Sequence, residues 1–262
     1  MVREMKRVAV FLYGVLSYAA CLVAFLWAIG FVGNFMIPKS LDSAVRVPFW
    51  QALITDVLLL GVFAVQHSVM ARPAFKRVLT RYIPQAAERS TYVLLSSLLM
   101  FALFVYWQPL GGVVWNVSNP ALRDAINSLM LLGFGLLLIT TFLLNHFDLF
   151  GLRQVSLYLV GRPYTNLEFS TPLFYRYVRH PLYIGWFIFF WATPTMTGAH
   201  LLFAVLTTTY ILMAIRWEER DLLMLHGKQY EEYRQSVPKL IPSLLPYLGG
   251  EESTAEKQRS AA

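Results

Sequence analysis

Long stretches without a charged residue dominate the chain, and their lengths predict its elements more directly than any periodicity does. No charge occurs between Val8 and Pro38. About 20 apolar residues, rising ~1.5 Å each, cross a hydrocarbon core of ~30 Å, so a first membrane helix is expected here. The run is too long for a signal-peptide core and lacks a clear small-residue cleavage site, which makes it an expected span of the mature chain. A second span is predicted from Phe49 to Met70 with Asp56 and His67 inside it, and a third from Thr91 to Gln108, before Pro109 and Gly111-Gly112. A fourth is predicted from Ala125 to His146.

The stretch from Pro181 to Ile215 contains His200 but no carboxylate, Lys or Arg, and Thr193-Pro194-Thr195-Met196-Thr197-Gly198 interrupts it. As helix it reaches ~52 Å, long for one crossing and somewhat short of two. Charge decides. With a cytoplasmic N-terminus and a hairpin, every Lys and Arg except Lys39, Arg46 and Arg123 falls on the inner side, the asymmetry that sets membrane orientation. The expectation is an all-α integral membrane protein of five to six transmembrane helices, the last two a helical hairpin, with both termini cytoplasmic.

Residues 1–246 are expected to form a single transmembrane domain. Between Glu218 and Pro246, leucines and tyrosines alternate with charges, predicting an interfacial helix, a break at Gly227 and a short helix ending before Pro238. The segment from Phe147 to Pro181 is expected to fold against the membrane, and the polar tail 247–262 to be disordered.

Composition narrows the classes. Apolar residues are 57% and charged residues 14% of the chain, with a mean hydropathy of +0.52. A soluble domain carries roughly a quarter charged residues, so a soluble globular protein is excluded. One Cys excludes a disulfide framework and a Cys-based zinc site. The net charge of +7 does not imply nucleic acid, because the basic residues lie between apolar runs rather than along one face. No internal repeat is visible, which argues against the duplicated transporter folds.

The reactive residues gather at one depth. His67, His146, His180 and His226, with Asp148, Glu218-Glu219, Arg176 and Arg179, all fall at the inner ends of the spans, and only His200 lies outside. Any one of them alone reads as a polar cap at the headgroups; their common depth from separate helices points to chemistry on the cytoplasmic face. Asp56 reads as the centre of a structural hydrogen-bonding network, because an acid inside a span needs a partner. Cys21 reads as a small packing residue. Gly133-Phe134-Gly135 lies inside a span with no strand before it, so it is not a dinucleotide loop.

Two separated segments carry a resemblance. Tyr175-Arg176-Tyr177-Val178-Arg179-His180-Pro181-Leu182-Tyr183-Ile184-Gly185 contains an R-H-P-x-Y-x-G pattern, and Glu218-Glu219-Arg220-Asp221-Leu222 precedes Gly227, Tyr230, Tyr233 and Val237-Pro238. Together they resemble the isoprenylcysteine carboxyl methyltransferase superfamily of membrane enzymes. Gln66-His67-Ser68-Val69-Met70-Ala71-Arg72-Pro73, Glu88-Arg89-Ser90-Thr91-Tyr92 and Asn145-His146-Phe147-Asp148-Leu149-Phe150-Gly151 look like the bacterial methanethiol S-methyltransferases within it.

The resemblance implies a bacterial inner-membrane enzyme that methylates methanethiol with S-adenosylmethionine at the cytoplasmic face, giving dimethyl sulfide. It implies a cofactor site built from Arg176, Val178, Arg179, His180, Pro181, Tyr183, Glu218 and Glu219. Arg176 or Arg153 suits the cofactor's carboxylate as a guanidinium fork, and Tyr177, Tyr183 or Trp217 suits its sulfonium through cation–π attraction. His67 and His146 are the candidate bases, with Asn145 and Asp148 beside the acceptor, because the thiolate is the nucleophile and the thiol is mostly protonated at neutral pH.

Other readings stay open at this point. A methyltransferase of the same superfamily could act on a lipid or isoprenyl thioether carboxylate, and a small transporter would need polar residues through the midplane. Zinc held by His67, His146 and His180 would lack the i, i+4 spacing of a helical site, so no metal is expected. Methanethiol and the lipid bilayer are the expected partners, with no nucleic acid and no obligate protein partner.

Overall fold

The computed structural model describes residues 2–247, so the expected disordered tail lies outside the described residues except for Tyr247. The elements run α1 (Val2–Gly33), α2 (Phe49–Ala71), α3 (Pro73–Leu79), α4 (Glu88–Tyr106), β1 (Val113–Asn116), α5 (Pro120–Leu143), α6 (His146–Leu149), α7 (Leu152–Leu159), α8 (Pro181–Trp191), β2 (Thr195–Thr197), α9 (Gly198–His226) and α10 (Lys228–Ser236). Single 3₁₀ turns at Gln85–Ala87 and Leu173–Arg176 lead into α4 and toward α8.

Among the described residues five helices, α1, α2, α4, α5 and α9, are long and apolar enough to cross a membrane. α8 has 11 residues and reaches only ~16 Å, half a crossing. α9 has 29 residues, ~43 Å of helix, so its last turns extend past a ~30 Å core into the polar region. Glu218 and Glu219 stand on those turns.

Outward-facing side chains complete the membrane character. Leu26, Leu58, Val65, Val105 and Leu132 are each more than half exposed, an apolar belt that water would not tolerate. The core is aromatic. Phe31, Trp107, Phe189 and Phe203 are buried with Met130 between α1, α4, α5, α8 and α9.

α8 and α9 lie side by side and antiparallel: Trp191 Nε1 donates to Thr208 Oγ1 at 2.8 Å near the turn, and Tyr183 Oη donates to Glu218 Oε2 at the far end. Close approach of α8 to α5 depends on two glycines. A Cβ on Gly185 would sit 2.8 Å from the Gly133 carbonyl oxygen and the Leu137 nitrogen, and one on Gly133 would sit 2.7 Å from Ile188. Small residues let membrane helices approach at this distance, which accounts for Gly133 in the middle of a span.

The fourth span is displaced from its expected limits. α5 starts at Pro120, where the Asn119 side chain caps the helix by accepting from Leu122 N. It ends at Leu143 because Asn145 takes a left-handed conformation (φ 80°) and caps the separate helix α6. His146 therefore opens a new helix instead of closing the span.

At the opposite end, β1 and β2 pair antiparallel, and Arg123 bonds both Asn116 and Thr195. Beside them Asp42 accepts from Asn34, from Thr197 and from His200, whose other nitrogen meets the Phe190 carbonyl at 2.9 Å. Asp56, fully buried, accepts from the Gln108 backbone N–H at 2.8 Å and so holds the end of α4. These groups tie the loops of that end together.

Candidate active site

α8 begins at His180-Pro181, where proline at the first helical position lacks only an N–H that the helix would leave unbonded. The 3₁₀ turn Leu173–Arg176 sets the preceding residues across the end of α9. Glu219 Oε1 then meets Arg179 Nε at 2.9 Å and His180 Nε2 at 3.0 Å, with Lys239 Nζ 3.6 Å from Oε2. The Arg179 and Glu219 side chains are both 9% exposed, whereas Glu218 is 43% exposed. Glu218 takes the Tyr183 hydroxyl at 2.8 Å and lies 3.8 Å from His180 Nδ1.

The chain beyond α9 straps this cluster. Arg179 donates from its side chain to the carbonyls of Arg234 and Val237 and from its backbone to Pro238. Ser243 N donates to Tyr177 O and Tyr247 N to Arg176 O, each at 2.9 Å. Tyr233 Oη donates to Tyr175 O at 2.6 Å, and burial pushes its phenol up, so it stays a neutral donor. Val178 is buried under the strap, and Tyr177 and Trp217 remain partly exposed.

His67 occupies a second cluster, between the C-terminal half of α2 and the N-terminal half of α4. Its Nδ1 lies 3.2 Å from Ser96 Oγ and its Nε2 2.7 Å from Tyr92 Oη. Phe63 stacks on the ring. Tyr210 of α9 bonds Ser68 at 3.0 Å, and Arg72 of α2 pairs with Asp221 at 2.9 Å. The Tyr210 ring also stands edge-on to His67, with centroids 6.5 Å apart. The His67 cluster and the Glu218 cluster thus face one another where α2, α4, α8 and α9 meet.

His146 belongs to a third cluster. Its Nε2 meets Tyr18 Oη at 2.7 Å and its Nδ1 meets Thr141 Oγ1 at 2.8 Å, and Phe142 stacks on it. Burial pushes its imidazole below the usual range. Asn145 accepts from Asp148 N as the α6 cap. Asp148 is held by Arg153 at 2.8 Å and by the Tyr164 hydroxyl. Arg153 is thereby committed to Asp148 and Thr165.

The eight predicted cofactor residues fall in one region, and the four predicted acceptor-side residues divide into His67 in one place and Asn145, His146 and Asp148 in another. Among the described residues, His67, His146 and His180 do not converge as metal ligands would. The donor set suits a nucleoside sulfonium: an accessible carboxylate at Glu218, backbone around Val178, and the aromatic faces of Tyr177 and Trp217.

Comparison with known proteins agrees with the motifs. A methanethiol S-methyltransferase of Crocosphaera subtropica is 55% identical over 238 residues, covering 91% of this chain and 93% of that protein. The Mycobacterium tuberculosis protein of the same name is 51% identical, covering 91% of this chain and 98% of its own length. This chain belongs to the methanethiol S-methyltransferase family. The family model described as NnrU protein matches residues 57–226, and nurim of Xenopus laevis is 29% identical over 75% of this chain and 72% of its own. No solved structure matches.

Motif reading of this family member left Tyr92, Ser96, Tyr210 and Lys239 out of the site. Tyr92 stands in the Glu88-Arg89-Ser90-Thr91-Tyr92 motif, so the signal was present. Its partnership with His67 joins two helices and is visible only in the fold.

Proposed function

We propose that the protein transfers the methyl group of S-adenosylmethionine to methanethiol, yielding dimethyl sulfide and S-adenosylhomocysteine, at the cytoplasmic face of the bacterial inner membrane. The observation that carries this reading is the meeting of two clusters of unlike chemistry, one of carboxylates and one of His67 with neutral hydroxyls, at the polar ends of α2, α4, α8 and α9. When bound, S-adenosylmethionine supplies an electrophilic methyl group on a cationic sulfur.

Glu218 would take the donor's ribose hydroxyls or amino group, Arg176 its carboxylate, and the Val178 backbone its adenine. Arg179, His180 and Glu219 lock the floor of that site, Pro181 starts the helix that presents Tyr183, and Tyr183 orients Glu218. On the acceptor side, His67 receives the thiol's proton. His146, with Asn145 and Asp148, backs the acceptor region by holding α6 against α1. Attack of a thiolate on a sulfonium neutralises charge, so a dry site favours the transition state over the separated ions. The strap bonded to the Tyr177 carbonyl shields this end of the site, and alignment of sulfur with the methyl group lowers the barrier further.

Headspace gas chromatography on detergent-solubilised protein given methanethiol and S-adenosylmethionine tests this reading. Dimethyl sulfide is expected only with both substrates. His180→Ala removes a hydrogen bond to a carboxylate and should weaken S-adenosylmethionine binding by about 10-fold or more. A folded protein that binds the donor but makes no dimethyl sulfide overturns the acceptor assignment and moves it to a lipid or larger thiol.

A further inference from the structure

The hydrogen bonds of His67 assign its proton. Ser96 Oγ donates to Gln66 Oε1 at 3.3 Å, so its lone pair accepts from His67 Nδ1–H at 3.2 Å. The Nε2 lone pair then faces Tyr92 Oη at 2.7 Å, and Tyr92 is the donor. No nitrogen of His67 is left open to a substrate.

We propose that Tyr92 is the catalytic residue that touches the thiol, and that His67 receives the proton through it. This rests on the thiol methyltransferase reading and replaces direct contact of thiol and histidine. The thiol S–H bond breaks as its proton passes to Tyr92 Oη, and the Tyr92 O–H bond breaks as its own proton passes to His67 Nε2. The sulfur lone pair forms the new S–CH₃ bond. The electron pair of the broken C–S bond stays on the donor's sulfur, which loses its positive charge. The proton ends on His67 and returns to water after turnover.

Three observations place the acceptor at Tyr92. Its phenol bonds His67, whose ring stands 6.5 Å from that of Tyr210 on α9, the helix that carries Glu218. The Arg89 guanidinium lies 5.0 Å over its ring, held there by donating to the Leu149 carbonyl at 2.7 Å, and a cation over the ring stabilises negative charge developing on the phenol oxygen. The hydroxyls of Ser68 and Tyr210 are bonded to each other at 3.0 Å, which holds Tyr210 beside His67 as part of the wall. The charged and titratable groups around the pair are Arg89 and Glu88 on α4, Arg72 on α2, Tyr210 on α9, Tyr183 on α8 and Cys21 on α1.

His146 has the same wiring in a different setting. Thr141 donates to Leu138 O, so Nε2 of His146 faces the Tyr18 hydroxyl. Its ring, however, stacks on Phe142, which is 55% exposed on the outside of α5.

The test compares Tyr92→Phe with the wild type and with Tyr106→Phe, a change at an exposed tyrosine at the far end of α4. At neutral pH Tyr92→Phe should lose about 100-fold or more in kcat with S-adenosylmethionine affinity unchanged by calorimetry, while Tyr106→Phe keeps its turnover. With an acidic thiol such as trifluoroethanethiol, assayed at mildly alkaline pH where it is largely ionised, most of the Tyr92→Phe deficit should vanish. The ¹⁵N resonance of His67 Nε2 should report an unprotonated, hydrogen-bonded nitrogen that shifts in Tyr92→Phe.

Wild-type turnover in Tyr92→Phe, a deficit equally deep with acidic thiols, lost donor binding, or an Nε2–H tautomer would each overturn the relay. A wild type that methylates no thiol would instead sink the proposed function. The nitrogen resonance reads the Tyr92–His67 bond whichever way that falls.

Discussion

Glu219 illustrates how one buried carboxylate can hold several side chains together. Its carboxylate is the shared partner of Arg179, His180 and Lys239. Removing one member of a buried ion pair leaves the other charge uncompensated, at a cost of about 3–5 kcal/mol. Glu219→Ala should therefore lower the thermal midpoint sharply, whereas Lys228→Ala, which cuts an exposed i,i+4 pair on α10, should leave it unmoved. Equal midpoints for the two variants would contradict the buried assignment. His146 supplies a pH dependence. Its folded pKa lies below the ordinary value because burial disfavours the imidazolium, so between the two values the unfolded chain binds more protons. Stability contributed by neutral His146 is present above its ordinary pKa of about 6.5 and declines as pH falls below it. Thermal midpoints across that window should drop for the wild type and flatten for His146→Gln.

At the scale of elements, the seam between α5 and α8 decides where the RHP segment sits. α8 is too short to span, so its position depends on packing instead of on the bilayer. Gly185 has backbone atoms of α5 within 2.8 Å of where a Cβ would stand. Gly185→Ala should separate the helices and destabilise the protein by about 1–3 kcal/mol, with weaker donor binding because His180 and Tyr183 ride on α8. Gly135, which meets nothing within 4 Å, is the matched control: alanine there should be silent in both the melting curve and the calorimetric titration.

For the whole molecule, the two ends differ in purpose. One end, with the β-ribbon, Asp42, His200 and Asp56, is a network of loop fasteners; the other gathers the carboxylates, guanidiniums and the Tyr92–His67 pair. The basic residues at the second end predict that it faces the cytoplasm. Cysteines introduced at exposed Ala44 and Tyr82 test this. A membrane-impermeant thiol reagent should label Ala44→Cys in intact cells and Tyr82→Cys only after permeabilisation; native Cys21 is buried and should stay silent. The reverse pattern would invert the topology.

Run length and charge placement in the sequence were enough to predict the spans, because a bilayer imposes a length on any helix that crosses it and a price on any charge within it. The RHP and Glu218-Glu219 segments announced a polar cluster for a similar reason: each is one short stretch of chain, and the antiparallel α8–α9 pair brings the two together. The limits of α5 were less legible, since the cap at Asn119 and the left-handed turn at Asn145 are decided by local hydrogen bonds that hydropathy does not register. His67 and His146 looked alike in sequence, each a histidine at the inner end of a span. Only the tertiary structure separated their surroundings, by setting His67 between Tyr92 of α4 and Tyr210 of α9 while stacking His146 on the exposed Phe142 of α5. Hydrophobic length is a property of one segment and can be read from it; which hydroxyl reaches which imidazole nitrogen depends on how separate helices pack.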